Sequence, residues 1–250
     1  MTQRPESKNL SGRIDVVIVP AEMPEQGYAG KAVAVIDVLR ASTSIVAALE
    51  AGAKEIIPLA SIEEATRLAE TMGRETVVLC GERDGNKING FDLGNSPLEF
   101  TPENVRGKSL LMATTNGTVA VARARGAALI AVGCLINAKA LVPVLTEAQA
   151  DIVLLCSGKQ GRASLEDLLC AGYLTKLIKD QFPEAEINDG ARVARDMYEK
   201  HKSHLTKAVK ESDHGSYLAG LGYLTDIEYA TQSDASSTVP VMKDGRIVAS

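Results

Sequence analysis

The stretch from Ala32 to Ala53, AVAVIDVLRASTSIVAALEAGA, constrains the fold most strongly because it joins a buried strand to a helix. Residues 32–36 form a continuous apolar run rich in β-branched side chains, which is typical of a strand covered on both faces. From Ser44 to Glu50 the apolar residues recur with helical spacing, and Gly52 predicts the end of that helix. A strand, a short turn and a helix in this order favour an α/β protein.

The same alternation continues along the chain. Further strands are predicted at Ile14–Val19, Glu55–Leu59, Thr76–Cys80, Leu110–Ala113, Leu129–Val132, Ile152–Cys156, Glu228–Ala230 and Val239–Met242. Helical patterns lie between them, at Ile62–Met72, Val119–Arg125, Asn137–Leu145, Ser164 to beyond Leu177, Asp189–His201, Leu205–Val209 and Ser216–Leu221. We therefore predict an α/β fold with a largely parallel or mixed sheet, helices on both faces and a helical C-terminal part. Residues 1–250 are expected to form a single domain, with 180–222 as a candidate subdomain.

Composition excludes several classes of function. The 250 residues carry a net charge of −5 without a basic cluster, so nucleic acid is not an expected partner. No apolar run approaches the roughly 20 residues of a membrane span, and the N-terminus lacks the apolar core of a signal peptide. The four cysteines form no CxxC pair, which favours buried thiols in a reducing cytoplasm.

Polar, glycine-bearing turns follow several of the predicted strands, at residues 37–43, 81–97, 114–118 and 157–164. The carboxyl ends of parallel strands meet at one edge of a sheet, so these turns are expected to converge. That edge would bring together the acids Asp37, Glu82, Asp92 and Glu166 or Asp167 and the cations Arg40, Lys159 and Arg162. Clustered carboxylates repel one another unless they share a cation, and their hard oxygens suit Mg²⁺. Arginines and backbone N–H groups suit a phosphate, so the pattern indicates metal-assisted phosphoryl transfer.

Several of these residues also have a purely structural interpretation. Ser42 or Thr43 can act as the N-cap of the first helix, Asp37 as a turn residue and Arg40 as a surface ion-pair partner.

The other turns have similar structural interpretations. Ser164 and Asp167 fit a capping box, and Glu166 is favoured by the dipole of the same helix. Asn116 and Gly117 form a typical tight-turn dipeptide.

Two phosphatase mechanisms can be tested on the motifs. The aspartyl-phosphate type requires DxD after a strand, and Asp37-Val38-Leu39 does not fit. The cysteine type requires C-x5-R, and Cys156 and Arg162 have that spacing, which leaves a cysteine-dependent phosphatase as an alternative. The three histidines, His201, His204 and His214, are interpreted as surface residues, although His214 precedes a glycine and can reach the site.

Five segments taken together resemble the 2-phosphosulfolactate phosphatase family, called ComB. They are IDVLRASTSIVAALEAGA, CGERDGNKINGFDLGNSP, ATTNGT, CSGKQGRASLEDLLCAG and SDHG with the later SDASSTVP. The similarity runs in order from about Ile14 to Ile247. It implies the α/β fold of that family, a Mg²⁺-dependent hydrolase that converts (R)-2-phospho-3-sulfolactate to 3-sulfolactate and phosphate, a place in coenzyme M biosynthesis in some organisms, and a homo-oligomer.

The family's motifs fall here on Asp37, Arg40, Ser42, Thr43, Glu82, Asp92, Asn95, Thr115, Asn116, Arg162, Glu166 and Asp167. The resemblance does not assign individual roles to these residues; by their chemistry we expect Asp37, Glu82 and Glu166 to hold Mg²⁺ or activate water. Arg40 and Arg162 are expected to clamp the phosphate and sulfonate with their planar donor forks. Ser42, Thr43, Asn95, Thr115 and Asn116 complete the expected substrate-binding set. A non-catalytic module that binds phosphorylated metabolites at the same edge is the rival interpretation from another class.

Overall fold

A computed structural model describes residues 12–19, 27–115 and 117–250 of the chain. The strands are β1 (Ile14–Val17), β2 (Ala32–Ile36), β3 (Glu55–Pro58), β4 (Val77–Arg83), β5 (Asn86–Lys87), β6 (Ser109–Ala113), β7 (Leu129–Gly133), β8 (Ile152–Cys156), β9 (Pro240–Lys243) and β10 (Arg246–Ala249). The helices are α1 (Ala41–Glu50), α2 (Ile62–Met72), α3 (Pro102–Val105), α4 (Gly117–Arg123), α5 (Ala138–Glu147), α6 (Leu165–Gln181), α7 (Asp189–His201), α8 (Leu205–Lys210), α9 (Asp213–Gly220) and α10 (Leu224–Ala230). The predicted α/β fold with a helical C-terminal part is confirmed.

The strands of the described ranges form one sheet in the order β1-β8-β2-β7-β9-β10-β3-β6-β4-β5. One block, β1-β8-β2-β7, and a second block, β3-β6-β4, are each parallel throughout. The antiparallel hairpin β9–β10 joins the two blocks, and β5 pairs antiparallel with β4 at the edge. The sheet is therefore mixed, with two parallel blocks.

The direction of the two blocks corrects one expectation from the sequence. Three successive antiparallel pairings separate β7 from β3, so the second block runs opposite to the first. The expected convergence assumed one parallel direction for all of the strands. Six neighbour steps lie between β2 and β4. Each strand is rotated by about 20–25° relative to its neighbour, so the strand direction turns by roughly 120–150° over these steps. This rotation offsets much of the opposite direction of the two blocks. The carboxyl ends of β2 and β4 can therefore still contribute to one cavity.

Alternating side chains of β2 explain why both faces of the first block are covered. Ala34 and Ile36 pack in the cluster that contains residues of α5 and α6, whereas Val33 and Val35 pack with Ala120 of α4 and its neighbours. All five residues of the strand are buried. A continuous apolar run is the pattern that such two-sided burial requires.

Local signals predicted the ends of α2 well. Ser61 accepts a hydrogen bond from the backbone N–H of Glu64 at 3.1 Å, as its N-cap position requires. Gly73 follows the helix with φ of 89°, a conformation that glycine adopts without a Cβ penalty. The prediction of α7 at Asp189–His201 is confirmed to the residue.

The prediction of a strand at Glu228–Ala230 is wrong, because these residues form the end of α10. Ile227 and Ala230 are buried three residues apart, so one face of a helix packs on the core. The helices within 180–222 add Ala191, Tyr198 and Val209 to the cluster that also contains Ile36 of β2.

The four cysteines are buried thiols, as expected. Within the described ranges, no helix is both long and apolar enough to cross a membrane.

Candidate active site

Residues that follow β2, β4, β6 and β8 border one cavity of about 220 Å³, which α9 closes from the side. It is lined by Asp37, Leu39, Arg40, Glu82, Asp84, Gly85, Asn95, Thr114, Thr115, Lys159, Gln160, His214, Tyr217 and Leu218. Asp37, Arg40, Glu82, Asn95 and Thr115 of the predicted set are therefore brought together from segments up to 78 residues apart (115 − 37).

Asp37 follows the last residue of β2 and forms part of the start of α1. Its Oδ1 accepts a hydrogen bond from Ala41 N–H at 3.2 Å, so one carboxylate oxygen serves a helix N-terminus. Burial raises the pKa of Asp37 to about 6, an effect that the His214 charge and the Ala41 amide oppose and that the charges of Glu82 and Glu166 reinforce. Asp37 is thus a buried acid that would gain from a nearby cation.

Ser42 and Thr43 lie inside α1, so the expectation that either one caps it is wrong. Ser42 Oγ accepts from Asp37 N–H at 2.9 Å, and Thr43 Oγ1 donates to the Val38 carbonyl at 2.8 Å. Both hydroxyls therefore bind the backbone of the turn between β2 and α1. Neither lines the cavity, so the structure places them behind Asp37 rather than against a ligand.

Arg40 is buried and only 4% exposed, in contrast to the surface ion pair that was one interpretation of it. Its Nη1 donates to Asp226 Oδ2 at 2.8 Å and its Nη2 to the Gly85 carbonyl at 2.5 Å. The guanidinium carbon also lies 4.0 Å from the centroid of the Tyr223 ring. These three contacts fix the guanidinium of Arg40, which lines the cavity.

Glu82, near the end of β4, connects two loops of the cavity. Its Oε1 accepts from Thr115 N–H at 2.8 Å and its Oε2 from Gly85 N–H at 2.9 Å. The side chain is buried, and its charge raises the pKa of Asp37. The second carboxylate of the cavity is thus held by backbone donors on both of its oxygens.

Glu166, in the first turn of α6, lies beside the cavity and holds one of its wall residues. Its Oε1 is 2.8 Å from His214 Nδ1, and its Oε2 accepts from Ser212 Oγ at 3.2 Å. Burial alone would raise the pKa of Glu166, but the hydrogen bond and charge of His214 outweigh it, so the pKa is lowered. The imidazole is left with Nε2 as the nitrogen that a ligand can approach.

Asp167 does not form the expected capping box with Ser164. Instead it accepts hydrogen bonds from Val38 N–H at 2.8 Å and from Gly158 N–H at 3.0 Å. It joins the turn after β2 to the turn after β8, which is a structural role. Burial first, and then the charges of Asp37 and Glu166, raise the pKa of Asp167 well above its ordinary value.

Two buried polar atoms on the cavity wall have no hydrogen-bond partner among the described residues. They are Asn95 Oδ1 and Thr115 Oγ1. Asn95 is fixed through its carbonyl, which accepts from Ser44 Oγ at 2.7 Å. A buried polar group without a partner costs free energy, so a ligand that supplied the missing hydrogen bond would gain from it.

Lys159 and Tyr217 close the outer side of the cavity. The ammonium of Lys159 lies 4.1 Å from the centroid of the Tyr217 ring, and Tyr217 Oη donates to the Asp84 carbonyl at 2.9 Å. Lys159 and His214 also border an adjoining cavity of about 630 Å³, which contains Arg162 and Glu166. Arg162 is exposed and lies in this outer cavity rather than in the inner one.

Two further residues of the expected set, Asp92 and Cys156, do not border the inner cavity, and Asn116 is outside the described residues. Asp92 forms an exposed pair with Arg74 at 2.5 Å and accepts from Leu79 N–H, away from the cavity. Cys156 is fully buried in the main core cluster and does not line the cavity. A cysteine nucleophile must be accessible to its substrate, and Cys156 is not.

The carboxylates of the cavity are suited to one hard cation. Among the described residues, no three or more His, Cys, Asp or Glu side chains are grouped as a ready metal site. Mg²⁺ requires no such group, since it is commonly bound by one or two carboxylates with water and substrate phosphate oxygens. Burial is the main cause of the raised pKa of Asp37 and the charges of Glu82 and Glu166 add to it, so a cation in the cavity would stabilise the charged carboxylate.

Sequence reasoning underestimated the C-terminal helices. His214 was interpreted mainly as a surface residue, yet it borders both cavities, and Asp226 and Tyr217 were not singled out. The one local signal was that His214 precedes a glycine. Gly215 packs so closely on the Val209 carbonyl that a Cβ there would lie 1.8 Å from its oxygen, which fixes the turn before the histidine.

Comparison with known proteins gives one consistent result. The family model of 2-phosphosulpholactate phosphatase matches residues 17–245. A probable 2-phosphosulfolactate phosphatase of Thermotoga petrophila is 41% identical over 232 residues, which are 93% of this chain and 96% of that protein. Proteins of the same description from Clostridium beijerinckii and Caldanaerobacter subterraneus are 36% and 39% identical, over 94% and 86% of this chain and 98% and 89% of their own lengths.

Proposed function

The chain belongs to the 2-phosphosulfolactate phosphatase family, and we propose that it hydrolyses (R)-2-phospho-3-sulfolactate to 3-sulfolactate and phosphate with the help of Mg²⁺. As a member it is a phosphoric monoester hydrolase. The observation that carries the proposal is the inner cavity, where buried carboxylates lie beside cationic side chains and beside two buried polar atoms without a partner in the described part of the chain. A small, highly charged molecule suits such a wall better than an apolar ligand does.

Asp37 and Glu82 are the residues that would hold the metal ion. Both are buried on the wall of the inner cavity, and the charge of one acts on the pKa of the other. When bound, Mg²⁺ would neutralise charge on the phosphoryl oxygens and favour a nucleophilic water. Glu166 was expected to be a third ligand, but it lines the adjoining cavity and not the inner one, and it contacts His214 and Ser212, so we assign it to the histidine.

Cationic and neutral donors of the same wall would bind the substrate. Arg40 and Lys159 supply positive charge, and Thr115 Oγ1, which has no partner among the described residues, can donate a hydrogen bond to a phosphoryl oxygen. Asn95 Oδ1, likewise without a partner in the described ranges, can only accept a hydrogen bond, so it would serve a water. These groups are already in place before a ligand binds, so little reorganisation is required of them. Arg162, in the adjoining cavity, is assigned to the sulfonate because the two cavities share Lys159 as a wall residue.

Hydrolysis breaks the phosphoester P–O bond as a water oxygen attacks phosphorus, and the departing sulfolactate oxygen takes up a proton. We assign the donation of that proton to His214, which borders the cavity and has Nδ1 occupied by Glu166, so Nε2 would be the donating nitrogen. Glu166 orients the imidazole as the carboxylate of a catalytic dyad does. The Thr115 hydroxyl would donate to the phosphoryl group and Asn95 Oδ1 would accept from the attacking water, which would help to hold the two in line during the displacement.

We extend the proposal to the cellular setting that the resemblance implies. The enzyme would act in the cytoplasm as a homo-oligomer, and in some organisms its product would lead to coenzyme M. The four buried thiols agree with a reducing compartment.

A phosphate-release assay tests the function directly. The purified chain is given (R)-2-phospho-3-sulfolactate and a panel of other 2-phospho acids, with and without EDTA, and EDTA saturated with Mg²⁺ is the matched control. We expect release from the sulfonated substrate at the highest kcat/KM, its loss in EDTA and its return when Mg²⁺ is added. Ligand-induced thermal stabilisation without any phosphate release would favour the non-catalytic binding module instead. Release unaffected by EDTA would remove the metal from the proposal.

A further inference from the structure

Arg40 lies on the wall of the inner cavity, but the residue that holds it does not. Asp226 belongs to α10, lines none of the cavities described above, and accepts from Arg40 Nη1 at 2.8 Å. The two side chains are only 3% and 2% exposed. The pair therefore lies behind the cavity wall, with the arginine between Asp226 and the cavity.

Asp226 is itself fixed on its second oxygen. Ser96 Oγ donates to Asp226 Oδ1 at 2.7 Å, so each carboxylate oxygen has one buried donor. Tyr223, three residues before Asp226, covers the face of the guanidinium at 4.0 Å. The segment 223–226 thus contacts the guanidinium of Arg40 twice, at its N–H edge through Asp226 and at its planar face through Tyr223.

The contacts of Arg40 continue into the cavity. Its Nη2 donates to the carbonyl of Gly85, whose N–H donates to Glu82 Oε2. A shift of the guanidinium would therefore move the turn that holds the second acid of the cavity. The orientation of Arg40 therefore affects both its own contact with the substrate and the position of Glu82.

A buried ion pair is not by itself a strong source of stability, because desolvation of the two charges offsets most of their attraction. An arginine has five N–H donors and a flexible stem, so without a fixed partner it would turn toward a multiply charged anion in several ways. Asp226 and Tyr223 remove that freedom before substrate arrives.

We propose that Asp226 is a positioning residue that sets the direction of the Arg40 guanidinium for the transition state of phosphoryl transfer. This inference rests on the proposed function. It places a determinant of turnover in α10, outside the motifs that carry the expected site residues. Loss of Asp226 leaves the positive charge of Arg40 in place, so ground-state binding survives while transition-state alignment is lost.

The test is a comparison of Asp226→Asn, Arg40→Lys and the double variant in full-length chain. Asp226→Asn keeps the shape of the side chain and is expected to lower kcat about tenfold or more with KM raised less than about twofold. The double variant should be no slower than Arg40→Lys alone, because both changes remove one interaction. Asp234→Asn is the matched control, since Asp234 pairs with Lys139 and Tyr173 in the same C-terminal part but away from the cavity.

A structural role alone would lower the melting temperature of both aspartate variants and leave kcat of the folded protein unchanged. Wild-type kcat in folded Asp226→Asn therefore overturns the inference, as does strict additivity in the double variant. If Asp226→Asn does not fold, Ser96→Ala takes its place, with kcat expected to fall about threefold and an unchanged kcat overturning the proposal. A wild-type chain that releases no phosphate from any substrate of the panel would instead contradict the proposed function.

Discussion

Glu166 Oε1 lies 2.8 Å from His214 Nδ1, although 48 residues separate the two in the chain. Glu166 lies in the first turn of α6, which follows β8, and His214 lies in the first turn of α9 in the helical C-terminal part. The contact ties the C-terminal helices to the carboxylate side of the cavity. It also gives a histidine of the cavity wall a defined orientation.

The first prediction concerns this histidine. His214→Gln is expected to lower kcat about 100-fold or more, because glutamine can hydrogen-bond but cannot transfer a proton to the leaving oxygen. Steady-state phosphate release measures the effect, and circular dichroism checks the fold. His204→Gln is the control, since His204 is exposed and lies outside both cavities. A His214→Gln variant with kcat within threefold of wild type would remove this residue from the mechanism.

The second prediction concerns Asp37 and the metal ion. Asp37→Asn is expected to abolish turnover and to melt no lower than wild type without Mg²⁺, because burial raises the pKa of Asp37 and its charged form is costly at neutral pH. Mg²⁺ at about 100 times its Kd should stabilise the wild type by about 2.7 kcal/mol. It should stabilise the variant much less.

Thermal melts with and without Mg²⁺ measure this difference. Asp244→Asn in the β9–β10 turn is the matched control, because that residue has φ of 49°, which asparagine tolerates. Full activity of Asp37→Asn would exclude Asp37 from the site.

The third prediction separates the cysteine mechanism from the proposed one. Cys156→Ala is expected to keep most of the Mg²⁺-dependent activity and to cost about 1 kcal/mol of stability, because the thiol packs in the core and not on the cavity. The native protein should also resist alkylation at Cys156, as measured by mass spectrometry. Complete loss of activity, together with alkylation that phosphate prevents, would support a cysteine nucleophile instead.

The fourth prediction uses Glu55, which connects the second block to the hairpin. Its carboxylate accepts from Ser109 Oγ at 2.7 Å and from Arg246 Nη1 at 2.9 Å. Burial would raise the pKa of Glu55, but these two partners outweigh it, so the pKa is lowered. A lowered pKa means that the stabilisation is complete above about pH 4.3 and is lost as the pH falls through the folded value.

Glu55→Gln should therefore cost about 1 kcal/mol at pH 7 and less at pH 3. Urea unfolding at the two pH values measures the difference, with the exposed Glu70→Gln as control. An equal cost at both pH values would show that the charge of Glu55 contributes nothing.

The fifth prediction concerns the turn that supports Arg40 and Glu82. Gly85 has φ of 77°, and an added Cβ would lie 2.9 Å from Leu221 Cδ1 and 3.2 Å from Leu218 Cδ2. Gly85→Ala is expected to push the turn away from α9 and to lower kcat/KM about tenfold or more.

Gly90→Ala is the matched control, because Gly90 has φ of 83° with no atom within 4 Å of the added Cβ. Both variants carry the backbone cost of a positive φ, roughly 1–2 kcal/mol, so both should melt lower. Equal activity of the two variants would show that the position of α9 is immaterial to turnover.

Much of the local architecture followed from spacing and side-chain type. The apolar run of β2, the Ser61 cap of α2 and the bounds of α7 depend on residues close in sequence, so local patterns were sufficient to predict them. The same holds for the presence of acids and cations in turns after strands. Segments with weaker local signals were less well predicted, as the helix at Glu228–Ala230 shows.

The sequence by itself determined the α/β class, most of the strands and helices, and the motifs that identify the family. Tertiary structure decided the reversal between the two parallel blocks, the partner of His214, the internal roles of Ser42 and Thr43, and the burial of Arg40 against Asp226. The reason is physical: propensity and periodicity report on neighbours in the chain. By contrast, the direction of a strand and the partner of a charged side chain depend on which segments, far apart in sequence, pack together in the buried interior.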